Sequence, residues 1–184
     1  MNTRVIFLDY DGVVNTPMWN EKGTVCSYGW PSDGKVNNFQ AVQWLSEACK
    51  KFHYDIVVTS TWRLKDNYKE CLINGGLREG IEILGRTIHL TDEEDGPDFH
   101  GRRGREIQRY LDEHPEINYY MILDDEDVPC NENQRDHFIQ TVDHHGGFNE
   151  ADFLKFEKLY MRDLGHGGSF WERKSKDYRQ VVVE

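Results

Sequence analysis

Two aspartates and a glycine stand close together near the start of the sequence, in the segment FLDYDGVVN, as Asp9, Asp11 and Gly12. In an extended chain, side chains two residues apart point the same way, so both carboxylates can face one pocket. Close carboxylates repel each other unless a cation lies between them, and Mg²⁺ prefers oxygen ligands. One carboxylate can also attack phosphorus while the other exchanges protons. The pattern predicts phosphoryl chemistry, although acid pairs before glycine also occur in plain turns.

A pair of hydroxyl side chains, Thr59 and Ser60, follows the apolar segment YDIVV. A hydroxyl at a strand end can donate a hydrogen bond to a phosphate oxygen, but Ser and Thr are also frequent at strand ends and helix caps. Arg63 follows three residues later. It is a further candidate for phosphate contact, and an exposed surface arginine is the alternative interpretation.

The densest basic cluster of the chain is RRGR, with Arg102, Arg103 and Arg105. An arginine here could neutralise negative charge on a transferring phosphoryl group. The cluster opens a predicted helix, where positive charge opposes the helix dipole, and this favours a functional reason for it. The alternative is a solvated patch that is offset by the acids of residues 92–98.

Four acids in a row, Asp124, Asp125, Glu126 and Asp127, follow the apolar segment YYMIL. Such a run is typical either of metal ligands or of a solvated turn. We expect a carboxylate of Asp124 or Asp125 to complete a magnesium site, because these two stand nearest to the strand. Glu126 and Asp127 are expected at the surface.

Apolar segments and helical periodicity alternate along the chain, and this alternation predicts an α/β domain with a mostly parallel sheet. The predicted strands cover residues 5–8, 54–59, 119–123 and 138–142, with a weaker candidate at 87–90. The predicted helices cover residues 38–52, 66–73, 103–113 and 149–164. Parallel sheets place ligand sites at the carboxyl ends of their strands. Asp9, Thr59 and Asp124 each stand where a predicted strand ends, so we expect them to converge.

The composition indicates one soluble domain of 184 residues with a formal net charge of −11. Such an acidic chain is a poor general binder of nucleic acid, but a local basic pocket with a metal ion can still hold a phosphate. The sequence has no long apolar run and no pattern of a secretory signal, so we expect a cytoplasmic protein without a membrane span. Its four scattered cysteines predict reduced thiols.

Taken in order, the four motifs resemble those of phosphatases of the haloacid dehalogenase-like (HAD) superfamily. More narrowly, FLDYDGVVN, VVTSTWR, RGREIQRYLDEH and YYMILDDEDV resemble the HAD domain of RNA-repair ("Swiss Army Knife") proteins. The resemblance covers about residues 4–160. It implies a three-layer Rossmann-like fold over residues 1–164, with a minimal cap. A flap-like loop is expected at 15–37, a small insertion within 64–101, and a tail at 165–184 with a terminal strand at 181–183.

The resemblance also implies roles for the acids. Asp9 takes the position of the nucleophile and of a magnesium ligand. Asp11 takes that of the general acid and base, with its backbone carbonyl on the metal. Asp124 takes that of the acidic metal ligand, directly or through water, and Asp125 is expected to share this task.

For the phosphoryl group, the resemblance implies that Thr59 binds it, with Ser60 as the rival for that position. The family usually places a lysine beside the phosphate. In this sequence Arg103 takes that place, with Arg102 as the alternative.

A minimal cap implies an open site that suits bulky substrates. The predicted function is that of a magnesium-dependent phosphomonoesterase that forms an aspartyl-phosphate and acts on a nucleotide or a nucleic-acid end. The alternatives are a phosphatase for another small metabolite or a phosphoprotein, and a non-catalytic HAD-like module that binds a partner. The presence of both catalytic acids favours an enzyme. Candidate substrate contacts are Asn15, Tyr28, Trp30 and Arg63.

Aromatic residues could also stack on a base. Tyr28 and Trp30 lie in the flap-like loop and are the better candidates, and Trp62 is a third. Trp44 fits the apolar face of the first predicted helix and is expected in the core.

Overall fold

The apolar segment before Asp9 forms the central strand of a parallel sheet in the computed structural model, which describes residues 3–19, 25–27, 34–95 and 101–165. This strand, β1 (Thr3–Leu8), ends in four consecutive buried residues. Both of its faces are therefore covered, which is why its sequence is continuously apolar instead of alternating.

The sheet has five strands in the order β5-β4-β1-β6-β7, and all neighbouring strands are parallel. The other four strands are β4 (Asp55–Val58), β5 (Ile83–Arg86), β6 (Ile117–Asp124) and β7 (Phe138–Gln140). Two short strands form a separate antiparallel pair, β2 (Met18–Trp19) and β3 (Val25–Ser27). The predicted α/β class with a Rossmann-like sheet is confirmed.

Helices connect the strands, as parallel pairing requires. They are α1 (Phe39–Phe52), α2 (Tyr68–Asn74), α3 (Asp92–Asp95), α4 (Arg102–Glu113), α5 (Glu132–Asp136) and α6 (Glu150–Asp163). Short 3-10 helices lie at Thr61–Leu64 and Asp143–His145. The two longest helices begin at asparagine caps, because the side chains of Asn38 and Asn149 accept hydrogen bonds from backbone N–H groups of the first turn.

The sheet separates two apolar clusters, which makes the fold three-layered. Leu8 and Val58 face the larger cluster, together with Leu45 of α1 and Phe156 of α6. The neighbouring strand residues face the smaller cluster on the other side, which includes Ile107 of α4. As predicted for Trp44, its partly buried ring packs against the larger cluster. Helix α4 is thus docked on the sheet through Ile107, which brings its first turn close to the strand ends.

The predicted strand at residues 87–90 is wrong. The strand beside β4 lies four residues earlier and ends at Arg86. The Thr87 N–H still donates to the sheet, at 3.1 Å from the Val58 oxygen. Beyond it, backbone groups bond to buried side chains, as in the 3.0 Å bond from the Leu90 N–H to Glu106. The apolar run therefore continues into a buried loop instead of a strand.

The predicted insertions are small in the part of the chain that the structure describes. Within 15–37 the structure has the β2–β3 pair. Within 64–101 it has α2, strand β5 of the main sheet and the one-turn helix α3. The predicted terminal strand at 181–183 lies outside the described residues, as do Tyr28 and Trp30. None of the described helices is both long enough and apolar enough to cross a membrane.

Gly12 meets two constraints at once in the turn after β1. Its φ of +73° lies in the left-handed region, and a Cβ there would be 2.5 Å from the Cβ of Asp125 and 2.3 Å from its carboxyl carbon. Because the clash includes the Cβ atom, side-chain rotation of Asp125 cannot remove it.

We predict that Gly12→Ala lowers the free energy of unfolding by at least about 2 kcal/mol, since it combines an unfavourable φ with a clash. Gly165→Ala is the matched control, because its φ is +71° with no atom within 4 Å of the new Cβ. The control should cost about 1 kcal/mol. Urea unfolding of both variants measures the difference, and equal losses would contradict the close approach of Asp125.

Candidate active site

Three neighbouring strands end level with one another at the carboxyl edge of the sheet. Leu8 is in register with the last residue of β4 on one side and with Leu123 on the other. The Asp9 N–H donates to the Leu123 oxygen at 3.0 Å, and the Thr59 N–H donates to the Leu8 oxygen at 2.9 Å. This register brings Asp9, Thr59 and Asp124 side by side, as the sequence predicts.

Three carboxylates form the centre of this edge, which we call the acid cluster: Asp9, Asp124 and Asp125. One oxygen atom of each lies within 4.8 Å of the others. Asp9 and Asp124 are buried, and Asp125 is half-buried. Burial raises the pKa of Asp9 well above its usual range, and it raises that of Asp125 to about 6. The cluster is therefore a place where a carboxylate charge is costly without a cation.

Arg103 is the arginine that reaches the acid cluster. Its Nη1 lies 2.9 Å from Asp9 Oδ1 and 2.6 Å from Asp124 Oδ2. Burial opposes the positive charge of Arg103, but the two carboxylates outweigh this effect and raise its pKa. Arg102 lies elsewhere, with its Nη2 at 2.6 Å from Asp92 Oδ1. Of the two arginines that the sequence leaves open, the geometry brings Arg103 to Asp9.

Asp11 is held by two hydrogen bonds, one to each carboxylate oxygen. Asn15 donates to Oδ1 at 2.6 Å, and the indole N–H of Trp62 donates to Oδ2 at 2.9 Å. Asn15 and Trp62 are both buried, and Trp62 packs edge-on against Tyr10 at 5.6 Å. Asn15, a predicted substrate contact, thus orients Asp11. Sequence reasoning treated Trp62 as a base-stacking candidate and missed its indole bond.

The two neighbouring hydroxyls differ in their surroundings. Ser60 Oγ accepts a 3.4 Å hydrogen bond from the backbone N–H of Trp62, as a cap of the short 3-10 helix. Thr59 Oγ1 is buried and has no hydrogen-bond partner among the described residues. A buried hydroxyl without a partner is costly, so a ligand that bonds to it would remove that cost. Thr59 is therefore the better candidate for phosphoryl contact.

Arg63 is buried, with 2% of its surface exposed, so the interpretation as an exposed arginine is wrong. Its Nη2 lies 2.6 Å from Glu106 Oε2, and its Nη1 donates to the Thr59 carbonyl. Burial lowers the pKa of Arg63, and the charge of Glu106 opposes that shift. Substrate contact by Arg63 stays a prediction. Sequence reasoning missed Glu106, although its place three residues after Arg103 puts it on the same helix face.

An open pocket of about 610 Å³ adjoins Arg103. Most of the residues that line it are of polar or charged types: Thr61, Arg63, His89, Gly101, Arg102, Arg103, Glu106, Glu126, Asp127 and Val128. Its size is within the range of small-molecule sites. The pocket offers room for the group that carries a phosphate.

The sequence profile of one protein family, described as "HAD domain in Swiss Army Knife RNA repair proteins", matches residues 5–153. The chain belongs to this family. The matched stretch contains every residue of the acid cluster as well as Asp11, Thr59 and Arg103. Comparisons with curated proteins and with solved structures found no significant match. Membership supports a HAD-type, phosphatase-like function.

HAD domains typically use Mg²⁺, and the donors of this site suit that ion. Asp9, Asp124 and Asp125 offer three carboxylate oxygens, which are the ligands that Mg²⁺ prefers. The guanidinium of Arg103 contacts two of these three negative groups, Asp9 and Asp124. A divalent cation would reduce the remaining repulsion, so the acid cluster fits a metal site.

We predict that Asp125→Asn stabilises the metal-free protein at pH 7.5 by up to about 1 kcal/mol, allowing for the screening of a half-buried group. The folded-state pKa of about 6 exceeds the usual value of 3.8, so ionisation of Asp125 disfavours the folded state at pH 7.5. The gain should shrink below pH 6 and vanish below about pH 4, where the carboxyl is protonated in both states.

The same variant should lose part of the stabilisation that MgCl₂ gives the original chain, because it removes one of the three carboxylates that suit the ion. Thermal unfolding with and without MgCl₂ measures both effects. Asp127→Asn is the control, since this exposed acid pairs with Arg135 at 3.0 Å and stands outside the acid cluster. An equal response of Asp125→Asn and Asp127→Asn would contradict the assignment.

Proposed function

We propose that the protein is a magnesium-dependent phosphomonoesterase that works through an aspartyl-phosphate on Asp9. One observation carries the proposal: Arg103 contacts both Asp9 and Asp124 at the strand edge where Thr59 has a buried hydroxyl with no hydrogen-bond partner among the described residues. Phosphoryl transfer needs a nucleophile, positive charge around the phosphoryl oxygens and a proton donor for the leaving oxygen. Asp9, Arg103 and Asp11 have the chemistry for these three tasks.

In the first step a carboxylate oxygen of Asp9 attacks phosphorus, and the bond from phosphorus to the leaving oxygen breaks. Asp11 gives its proton to that oxygen, so the product leaves as an alcohol. In the second step Asp11 takes a proton from water, and the resulting hydroxide attacks the aspartyl-phosphate. Inorganic phosphate leaves and Asp9 is restored.

The surroundings of Asp9 must keep it ionised for the attack. Burial raises its pKa, and the nearby Arg103 acts in the opposite direction. Arg103 and Thr59 can bind the phosphoryl oxygens as charge moves onto them. When bound, Mg²⁺ at Asp9, Asp124 and Asp125 would supply further positive charge at this point.

We infer that the substrate phosphate stands at a nucleotide or at a nucleic-acid end. The RNA-repair proteins that give the family its description support this substrate class. The site also has only small insertions around it in the described residues, and open sites accept bulky substrates. The net charge of −11 disfavours long contacts along a polynucleotide, so recognition would be concentrated on the end.

A phosphate-release screen with Mg²⁺ tests the proposal. It compares nucleoside monophosphates, oligonucleotides with a 3′- or a 5′-phosphate, sugar phosphates and a phosphopeptide. We expect turnover of a nucleotide or an oligonucleotide end, and loss of all activity in Asp9→Asn. Preference for the sugar phosphate or phosphopeptide would contradict the substrate class. Full activity of Asp9→Asn would contradict the mechanism.

We further predict that Trp62→Phe lowers kcat about tenfold with little change in KM. The variant keeps an aromatic ring beside Tyr10 but removes the indole N–H that orients Asp11, and proton transfer depends on that orientation. Trp44→Phe is the control, because this tryptophan of α1 packs against Phe153 of α6, at 5.4 Å between the ring centroids. Steady-state kinetics on the best substrate measures the effect, and an unchanged kcat would show that the indole bond has no catalytic role.

A further inference from the structure

A buried ion pair lies one helical turn from Arg103, the arginine that contacts the acid cluster. Arg63 and Glu106 are in contact at 2.6 Å, and their side chains are 2% and 3% exposed. Glu106 follows Arg103 by three residues on α4, so the two side chains leave the helix on the same face. Whatever fixes Glu106 therefore also fixes the direction in which Arg103 leaves the helix.

The Arg63–Glu106 pair joins three segments of the chain. Arg63 donates to the Thr59 carbonyl at the end of β4, and its Nη2 donates to the Ile88 oxygen at 3.2 Å. Glu106 Oε1 accepts from the Leu90 N–H at 3.0 Å. The pair thus links α4 to the loop that follows β4 and to the buried loop that follows β5.

The opposite side of α4 is also closely packed at its start. A Cβ at Gly104 would lie 2.3 Å from the Val128 oxygen and 2.6 Å from the Cys130 nitrogen. Gln134 donates to the Gly104 carbonyl at 2.8 Å. The first turn of α4 is therefore held between residues 128–134 on one side and the Arg63–Glu106 pair on the other.

Stability alone is a poor reason for such a pair. Burying two charges is costly, and apolar side chains of similar size often stabilise a protein as well or better. The geometry offers another reason, because Arg103 must reach two carboxylates at once, at 2.9 and 2.6 Å. A displacement of about 1 Å in a catalytic group can lower a rate about a hundredfold.

We propose that Arg63 and Glu106 are positioning residues, which hold α4 so that Arg103 stays on Asp9 and Asp124. The effect on turnover rests on the proposed function, whereas the effect on the mobility of Arg103 does not. The pair acts on the acid cluster through Arg103, which follows from the shared face of α4.

The test replaces both charges together, as Arg63→Met with Glu106→Leu, which leaves no single charge buried. The matched control is Lys51→Met with Glu157→Leu, since this ion pair of 2.7 Å lies between α1 and α6 on the exposed surface. Glu106→Asp is a second variant that keeps the charge but shortens the side chain, in case the double replacement does not fold.

The first measurement is the NMR signal of the Arg103 guanidinium, assigned by its loss in Arg103→Lys. In the original chain we expect slow rotation of a restrained group. In the Met/Leu variant and in Glu106→Asp we expect faster rotation and shifted signals, while the amide spectrum remains that of a folded protein. Unchanged Arg103 signals in a folded variant would overturn the proposal, even if the original chain turned over no phosphate ester.

The second measurement is kinetic. We expect kcat to fall about tenfold to a hundredfold in the Met/Leu variant, with KM within about threefold and with no change in the control. In an Arg103→Ala background the same replacement should have no further effect, because its action passes through Arg103. Losses that add fully in the two backgrounds would overturn the proposal and indicate an independent structural role.

Discussion

The electrostatics of the site are set by the repulsion between three carboxylates that lie together at a buried strand edge. Burial raises the pKa of Asp9 and of Asp125, and each acid adds to the repulsion on the others. Arg103 offsets part of this cost by contact with Asp9 and Asp124. The remaining negative charge favours a divalent cation, and that cation together with Arg103 would supply the positive charge that a bound phosphoryl group needs.

The surrounding structure fixes the orientation of the charged groups at this site. Gly12 permits the turn after β1, and its lack of a side chain leaves room for Asp125 to lie against that turn. Two buried donors, on Asn15 and Trp62, fix the two oxygens of Asp11. Asn15 and Trp62 are buried and Asp11 is partly buried, so these two hydrogen bonds are difficult to replace with water. The site is therefore restrained before any ligand binds.

The sequence predicts the strand ends well because their signal is local. A buried parallel strand is an apolar run, and the polar residue that ends it can be read directly, as with Asp9, Thr59 and Asp124. The side-chain contacts around the site cannot be read from the sequence in this way. Trp62 and Asp11 are 51 residues apart, and Arg63 and Glu106 are 43 apart, so only the folded chain brings them together. The same limit explains the wrong strand at 87–90, where buried side chains replace a neighbouring strand as hydrogen-bond partners.

The central claim is that Asp9 carries the phosphoryl group during turnover. It can be tested most directly by acid quench of the enzyme with Mg²⁺ and its best substrate, followed by peptide mass spectrometry. Because Asp11 acts in both steps, the variant Asp11→Asn is given an aryl phosphate, whose leaving group needs no proton, so that only hydrolysis of the intermediate is slowed and the intermediate accumulates. The account predicts one added phosphoryl group on the peptide that contains Asp9, and none in Asp9→Asn. Turnover with the phosphoryl group on another residue would contradict it, as would turnover with no labelled residue in either the original chain or Asp11→Asn.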